Sequence, residues 1–229
     1  MSVVQIGFDE LNNHGDLMKP AGSLSDSNSQ AGSSSNSEQM ANTLRVLLQY
    51  QSSPNFGTSH LPFVPTRSML LAHGVTPPDE QTQEKIASLT HAAQDAATSL
   101  FCGSIVAGHT GESDEYADVG LWLGEGSGGR GYGKGQEIEV LRALGLEIAA
   151  DKIATVQLNP SWNLPASVNV SASTPAVEAL TIALTSLEGL HCFFATVGHR
   201  SGVVVACFLL GKSPHGWCGL VGMGDSSDE

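Results

Sequence analysis

A chain of 229 residues, 41% hydrophobic and only 14% charged, can bury a real core, as one large domain or as a smaller one with disordered segments. Ten Lys and Arg against 23 Asp and Glu leave a formal charge of −13, and no cations cluster, which argues against nucleic acid and anionic membrane surfaces as partners. No stretch reads as a signal peptide, a lipidation site or the roughly 18 apolar residues that span a bilayer. The four cysteines Cys102, Cys192, Cys207 and Cys218 are therefore expected to be reduced thiols in a cytoplasmic protein.

Along the chain, Val3, Val4, Ile6, Phe8 and Leu11 make a short strand or docking segment. Residues 12–37 are Ser/Asn/Gly-rich and cannot offset chain ordering, so 1–37 is expected to be mostly disordered. Ser35-Asn36-Ser37-Glu38 has the capping-box pattern, and Met40, Leu44, Leu47 and Leu48 follow at helical spacing. Residues 59–75 read as two short extended segments, the first limited to a sheet edge by Pro62 and Pro65. Thr76-Pro77-Pro78-Asp79 predicts a helix start with Thr76 as cap, and Ile86, Leu89, Ala93, Ala96, Ala97 and Leu100 mark one apolar face of a helix running to about Phe101.

Val119 to Leu123 is strand-like, and "GEGSGGRGYGKG" (Gly124 to Gly135) links it to a helix expected over 137–150. A strand follows at 152–158, then an amphipathic helix from Thr174-Pro175 with Val177, Leu180, Leu184 and Leu187. "LHCFFATV" and "GVVVACFLLG", split by Gly198-His199-Arg200-Ser201, predict a buried hairpin.

Strand, glycine-rich loop, helix is the arrangement that cradles phosphates. Gly128 to Lys134 matches G-x-x-x-x-G-K, but Gly135 stands where a P-loop needs its magnesium-holding hydroxyl. Gly124 to Gly129 matches G-x-G-x-x-G, yet the next strand ends in Asn159 rather than an acidic residue. Seven glycines in twelve positions produce such matches by chance, and they also describe a flexible loop. His215-Gly216-Trp217-Cys218 is too little for a zinc site, and no cysteine lies in an electropositive setting. Glu112, Asp114, Glu115 and Asp118 read as a solvated acidic cluster. Neither a catalytic set nor a cofactor is expected.

The order helix, two extended segments, amphipathic helix and terminal hairpin resembles the Roadblock family of dynein-light-chain-type α/β domains. "TLRVLLQYQS" is similar to that family's first helix, and "SMLLAHGVTPPDEQTQEKIASLTHAAQDA" to its second strand, turn and central helix. "VVVACFLLGKSPHGWCGLVGM" is similar to its last strand and the start of a closing helix. Within the family the likeness is to scaffold subunits of the late endosomal and lysosomal adaptor complex, Ragulator. The resemblance implies an α/β, Roadblock/profilin-like helix-on-antiparallel-sheet sandwich over residues 38–224, with an insertion at about 102–190 and an acidic tail at 225–229.

It implies a non-enzymatic scaffold that dimerises with another Roadblock-type subunit, as a homo- or heterodimer. Through the complex it would anchor Rag-type GTPases at the lysosomal or vacuolar surface and feed nutrient signals to the target-of-rapamycin kinase. Membrane attachment would come through a partner. Central helices meet in the family's dimers, and the side of this helix opposite its apolar face carries Ser88, His91, Ala92, Asp95 and Ser99, small and nearly uncharged. Ser88, Ala92, Asp95 and Ser99 are thus expected at a subunit interface. The alternatives are another trafficking subunit of profilin-like or longin-like fold, or a nucleotide-binding enzyme using Gly124 to Lys134.

Overall fold

The computed structural model describes residues 2–7, 11, 30–51, 60–108, 115–126, 131–168, 170, 173–199 and 202–226. Its elements run β1 (Val4–Ile6), α1 (Gln30–Gln49), β2 (Leu61–Val64), β3 (Met69–Leu71), α2 (Glu80–Ser99), β4 (Val119–Gly124), α3 (Glu137–Ala143), β5 (Ile153–Val156), α4 (Pro175–Thr185), β6 (Glu188–His199), β7 (Gly202–Ser213) and β8 (Gly216–Ser226). All eight strands join one sheet in the order β1-β2-β3-β4-β8-β7-β6-β5. Every neighbouring pair is antiparallel except β3 and β4, which are parallel and joined by α2. The class is mixed α/β.

The expected hairpin is present and longer than its apolar runs, because β8 continues it as a meander. Phe193, Phe208 and Val221 stand opposite one another across β6, β7 and β8. Period-two alternation sends those residues to one face with Ala195, Ala206 and Met223, and sends Cys192, Cys207, Leu209 and Leu220 to the other. The first face packs against α1 through Met40, Leu44 and Leu47, and against α3 through Val140 and Leu141. The second packs against α2 through Leu89, Ala93 and Ala96, and against α4 through Val177, Leu180 and Leu184. The sheet is therefore covered on both sides, which is why β4 is buried along its whole length. Residues 102–190 supply β4 and β5 to this one sheet and α3 and α4 to its two faces.

Several expectations shift. The first helix begins at Gln30, eight residues before Glu38, and the Ser35 capping box lies inside it. Packing of the Met40 to Leu48 stripe supplies the nucleus, and extending a formed helix costs little. Residues 12–29 of the segment expected to be disordered lie outside the described residues. The cap of α2 is Asp79 rather than Thr76: its carboxylate accepts the Thr82 N–H at 2.8 Å. Pro62 is not on an edge, since β1 lies beside it and pairs it with Gln5. The pairing of β2 with β3 runs only from Phe63, so Pro62 is asked for no bond on that side. The helix expected over 137–150 stops at Ala143, where the chain turns through Gly145 at φ 71°.

The closing helix is replaced by β8. Its glycines permit close approach: a Cβ added at Gly219 would lie 2.0 Å from the Leu209 carbonyl oxygen, and one at Gly222 would lie 2.1 Å from Ser104 Oγ. The acidic tail overlaps this strand, which runs to Ser226, and residues 227–229 lie outside the described residues.

Candidate functional site

The parallel pair fixes a place where the topology opens a crevice. After β3 the chain passes to α2 on one face of the sheet; after β4 it passes to α3 on the other. Adjacent parallel strands whose connections leave to opposite sides cannot both cover the space beyond their carboxyl ends. A cleft of about 390 Å³ lies there, with Val75 and Leu123 as apolar lining and Glu125, Tyr132, Glu139 and Arg142 as polar lining.

Hydrogen bonds hold its walls. The Ala72 N–H donates to the Trp122 carbonyl at 2.9 Å and the His73 N–H to the Ala143 carbonyl at 2.8 Å. The Trp122 indole N–H donates to the Thr76 carbonyl at 3.1 Å. The Gln51 amide nitrogen donates to the Leu144 carbonyl at 2.9 Å and lies 3.0 Å from His73 Nε2. A carbonyl can only accept, so that amide atom is the donor and His73 Nε2 is an acceptor. Burial lowers the His73 pKa in the same direction, toward the neutral ring. His73 is thus a brace between the β3 and α3 ends and not a charged group of the cleft. Tyr132 is buried, and burial with the nearby Glu139 carboxylate raises its pKa, keeping the phenol protonated. Arg142 Nη1 donates to Glu139 Oε1 at 2.5 Å.

The strand–loop–helix order expected around the glycine tract is present, with residues 127–130 outside the described residues. The described part does not form a phosphate cradle. Gly131 and Gly133 lie on the Trp217 indole, where a Cβ at Gly131 would come 2.5 Å from Nε1. The Gly135 N–H, the donor that would face a phosphate, is taken by Glu137 Oε1 at 2.9 Å. The first turn of α3 adds Glu139. These carboxylates repel a polyanion from the helix start.

The residues expected at an interface fall into two groups. Ser88 and Asp95 are exposed on α2, as is His91 between them. Ala92 is half-buried against the α4-side cluster, and Ser99 Oγ lies 2.8 Å from the hydroxyl of Thr174, the N-cap of α4. So α4 covers one flank of the expected face and leaves the other open. The open flank borders a second cavity of about 310 Å³, whose lining includes Lys85, Ser88, Leu89, Leu187 and His215.

Elsewhere the reactive side chains are quiet. Cys192, Cys207 and Cys218 are buried; burial pushes Cys192 upward, Cys207 to about 12 and Cys218 to about 11, so none supplies a thiolate at neutral pH. His215 and Asp79 form an exposed pair at 3.6 Å. Among the described residues no group of three or more His, Cys, Asp or Glu could hold a metal ion. Asp118, expected in a solvated acidic cluster, is instead wholly buried, accepting bonds from Ser104 Oγ and the Ile105 and Val106 N–H groups. Glu115 is exposed, and residues 112 and 114 lie outside the described residues. No helix among the described residues is long and apolar enough to cross a membrane.

Comparison of the chain with models of known protein families, with functionally characterised proteins and with solved structures gives no match.

Proposed function

We propose that the chain is a non-enzymatic scaffold subunit of Roadblock type. It dimerises with a Roadblock partner and helps hold Rag-type GTPases at the lysosomal or vacuolar surface for signalling to the target-of-rapamycin kinase. What supports this is the outward side of the α2–α4 layer. Ser88, His91 and Asp95 are exposed on α2, while α4 has one charged residue, Glu178, in its eleven and shows Ile182 to solvent at 71% exposure. Beyond the exposed Glu84 and Lys85 near its start, the outward side of α2 carries no Lys or Glu, whereas a helix pair that faces only water ordinarily carries both along its length. Small and apolar groups there suit close approach by another subunit. The succession α1, β2–β3, α2 and C-terminal antiparallel strands agrees with the order that the family resemblance implies.

The test is co-purification of a Roadblock partner with wild type, Ser88→Arg and Ile182→Arg. Each arginine is expected to weaken association about tenfold or more, because its charge would be desolvated in the contact. Melting of each variant alone should stay within about 0.5 kcal/mol of wild type, since both positions are exposed. If both variants bound the partner as wild type does, this layer would face water and the scaffold reading would lose its physical support.

A further inference from the structure

We infer that residues 131–136 are an acid-opened lid: they cover Trp217, and protonation of His191, buried beside that indole, displaces them. His191 on β6 is 4% exposed. Its ring stands edge-on to Trp217 with centroids 6.1 Å apart, and lies nearly parallel to Phe193 at 6.4 Å. Nδ1 lies 3.2 Å from the Gly189 carbonyl, where the register shifts between Glu188 and His191. A carbonyl only accepts, so Nδ1 carries the proton and Nε2 keeps a lone pair. That Nε2 is buried and has no hydrogen-bond partner among the described residues. An unpaired acceptor costs the neutral ring about 1–3 kcal/mol, which a fold can carry. An imidazolium is worse placed, since it would bury both an unpaired Nε2–H and a charge.

The surroundings give that charge little relief. Burial lowers the His191 pKa; the Gly189 carbonyl and Glu137 work against this, and Lys134 works with it. On the sheet Leu210 stands opposite His191, while Glu188 of β6 and Lys212 of β7 are exposed and in register with each other. Asp225 of β8 lies at the far end, opposite Val204. Glu139 and Arg142 of α3 pair with one another. Residues 127–130, Ser-Gly-Gly-Arg, contain no carboxylate that could neutralise the ring. The lid is the part that can yield. A Cβ at Gly131 would come 2.5 Å from Trp217 Nε1 and one at Gly133 would come 3.3 Å from Cη2, so the segment lies directly on the indole. The Gln136 N–H donates to the Gly133 carbonyl, the Gly135 N–H to Glu137 Oε1, and the Gln136 carbonyl accepts from Glu139 and Val140. These bonds stay within the lid and the start of α3, and among the described residues none reaches the sheet. His191 and Trp217, by contrast, sit on strands held by the ladder. Opening the lid therefore wets Nε2 without breaking the sheet. In the open form the ring titrates near its ordinary value of about 6.5, and in the closed form lower, so the closed form loses ground as pH falls below about 6.5. The lid lies across the sheet from the α2–α4 layer, and the inference does not depend on the scaffold reading.

The test is hydrogen exchange of the full chain, read by mass spectrometry on peptides covering 131–137 and corrected for the intrinsic rate at each pH. Between pH 7.5 and pH 5.5 the protection of the lid amides should fall severalfold. The limit is about tenfold, because a solvated imidazole is about ten parts protonated to one at pH 5.5. The amides of β7 should keep their protection. His191→Phe preserves the aromatic packing, has no Nε2 and should hold the lid closed at both pH values. The wild-type imidazole titration, followed by NMR, should share its midpoint with lid opening and show the proton on Nδ1 at pH 7.5. That reading stands even if His191→Phe fails to fold. Lid protection that does not change with pH overturns the inference, as does an equal fall in His191→Phe. So does a loss that spreads to β7, a proton found on Nε2 at pH 7.5, or a ring titration whose midpoint differs from that of the lid.

Discussion

Replacing Asp118 with Ala is expected to lower the unfolding free energy by roughly 3–5 kcal/mol, among the largest losses any single side chain of this protein should give. The carboxylate is wholly buried at the start of β4. Oδ1 accepts the Ser104 hydroxyl at 2.6 Å, and the Ile105 and Val106 N–H groups reach the two oxygens at 2.7 and 3.3 Å. Removing it strands these donors away from water, at about 1–3 kcal/mol for each one left unsatisfied. Gly222 of β8 covers the group closely, since a Cβ added there would lie 2.4 Å from Oδ1. Chemical denaturation of wild type and variant measures the loss, and a difference below about 1 kcal/mol would show that the 104–107 turn does not depend on this carboxylate.

The same residue carries a pH signature. Burial raises its pKa to about 6, against the lowering effect of the three donors. In the unfolded chain the group titrates near its ordinary value of about 3.9. Between those values the folded state binds the extra proton, so this contribution to stability is fully present below about pH 4 and is lost as pH rises through about 6. The wild type should therefore gain on the order of 1–3 kcal/mol from this group between pH 7.5 and pH 4.5, beneath whatever the other carboxylates do. Asp118→Asn, which cannot titrate, isolates it: the gap between wild type and variant should widen on acidification. A gap that narrowed instead would mean the three donors outweigh burial and hold the pKa low.

The sequence made the ladder of this fold more legible than its sites. Continuous apolar runs gave away β6 and β7, and the 3.6-residue spacing of Ile86, Leu89, Ala93 and Ala96 gave away α2, because local periodicity survives whatever the rest of the chain does. β8 occupies the stretch that the family resemblance assigns to the start of a closing helix, although Cys218, Leu220 and Gly222 alternate with Gly219, Val221 and Met223. Four glycines hide such a pattern, since a position with no side chain shows neither face. Asp118 was illegible for another reason. It closes a stretch rich in carboxylates, and nothing local distinguishes the one that β8 and the 104–107 turn enclose. The cleft draws on residues 73–75 and 123–126 and on Tyr132, Glu139, Arg142 and Ala143, and what joins them is the order of β3 and β4 in the sheet and the side on which each connection leaves. That is tertiary information. The small side of α2 was readable, but not that α4 would take Ala92 and Ser99 and leave Ser88 and Asp95 outside.

Phe208→Ala should cost about as much as the loss of Asp118, roughly 3–5 kcal/mol, by a different mechanism. Phe208 is fully buried in β7, with Phe193 of β6 on one side and Val221 of β8 on the other. Its ring stacks on Phe193 at a centroid distance of 4.8 Å and 13° between planes. Truncation forfeits the transfer energy of the ring, an aromatic contact of about 0.5–1.5 kcal/mol, and whatever the remaining cavity costs. The cavity should persist, because β7 is hydrogen-bonded along its length on both sides and its backbone cannot sink to fill the space. Phe208→Leu keeps most of the volume and should cost only about 1–2 kcal/mol. A small apolar probe such as benzene should raise the melting temperature of Phe208→Ala but not of wild type, since a dry cavity in the folded state binds it. Phe101 supplies the control. It is the same residue type, just beyond α2, but 92% exposed, so Phe101→Ala should change stability by no more than about 0.5 kcal/mol. Equal losses at the two positions would contradict the burial of Phe208 between its neighbouring strands. A large loss at Phe208 without rescue by benzene would mean that the sheet had closed over the gap.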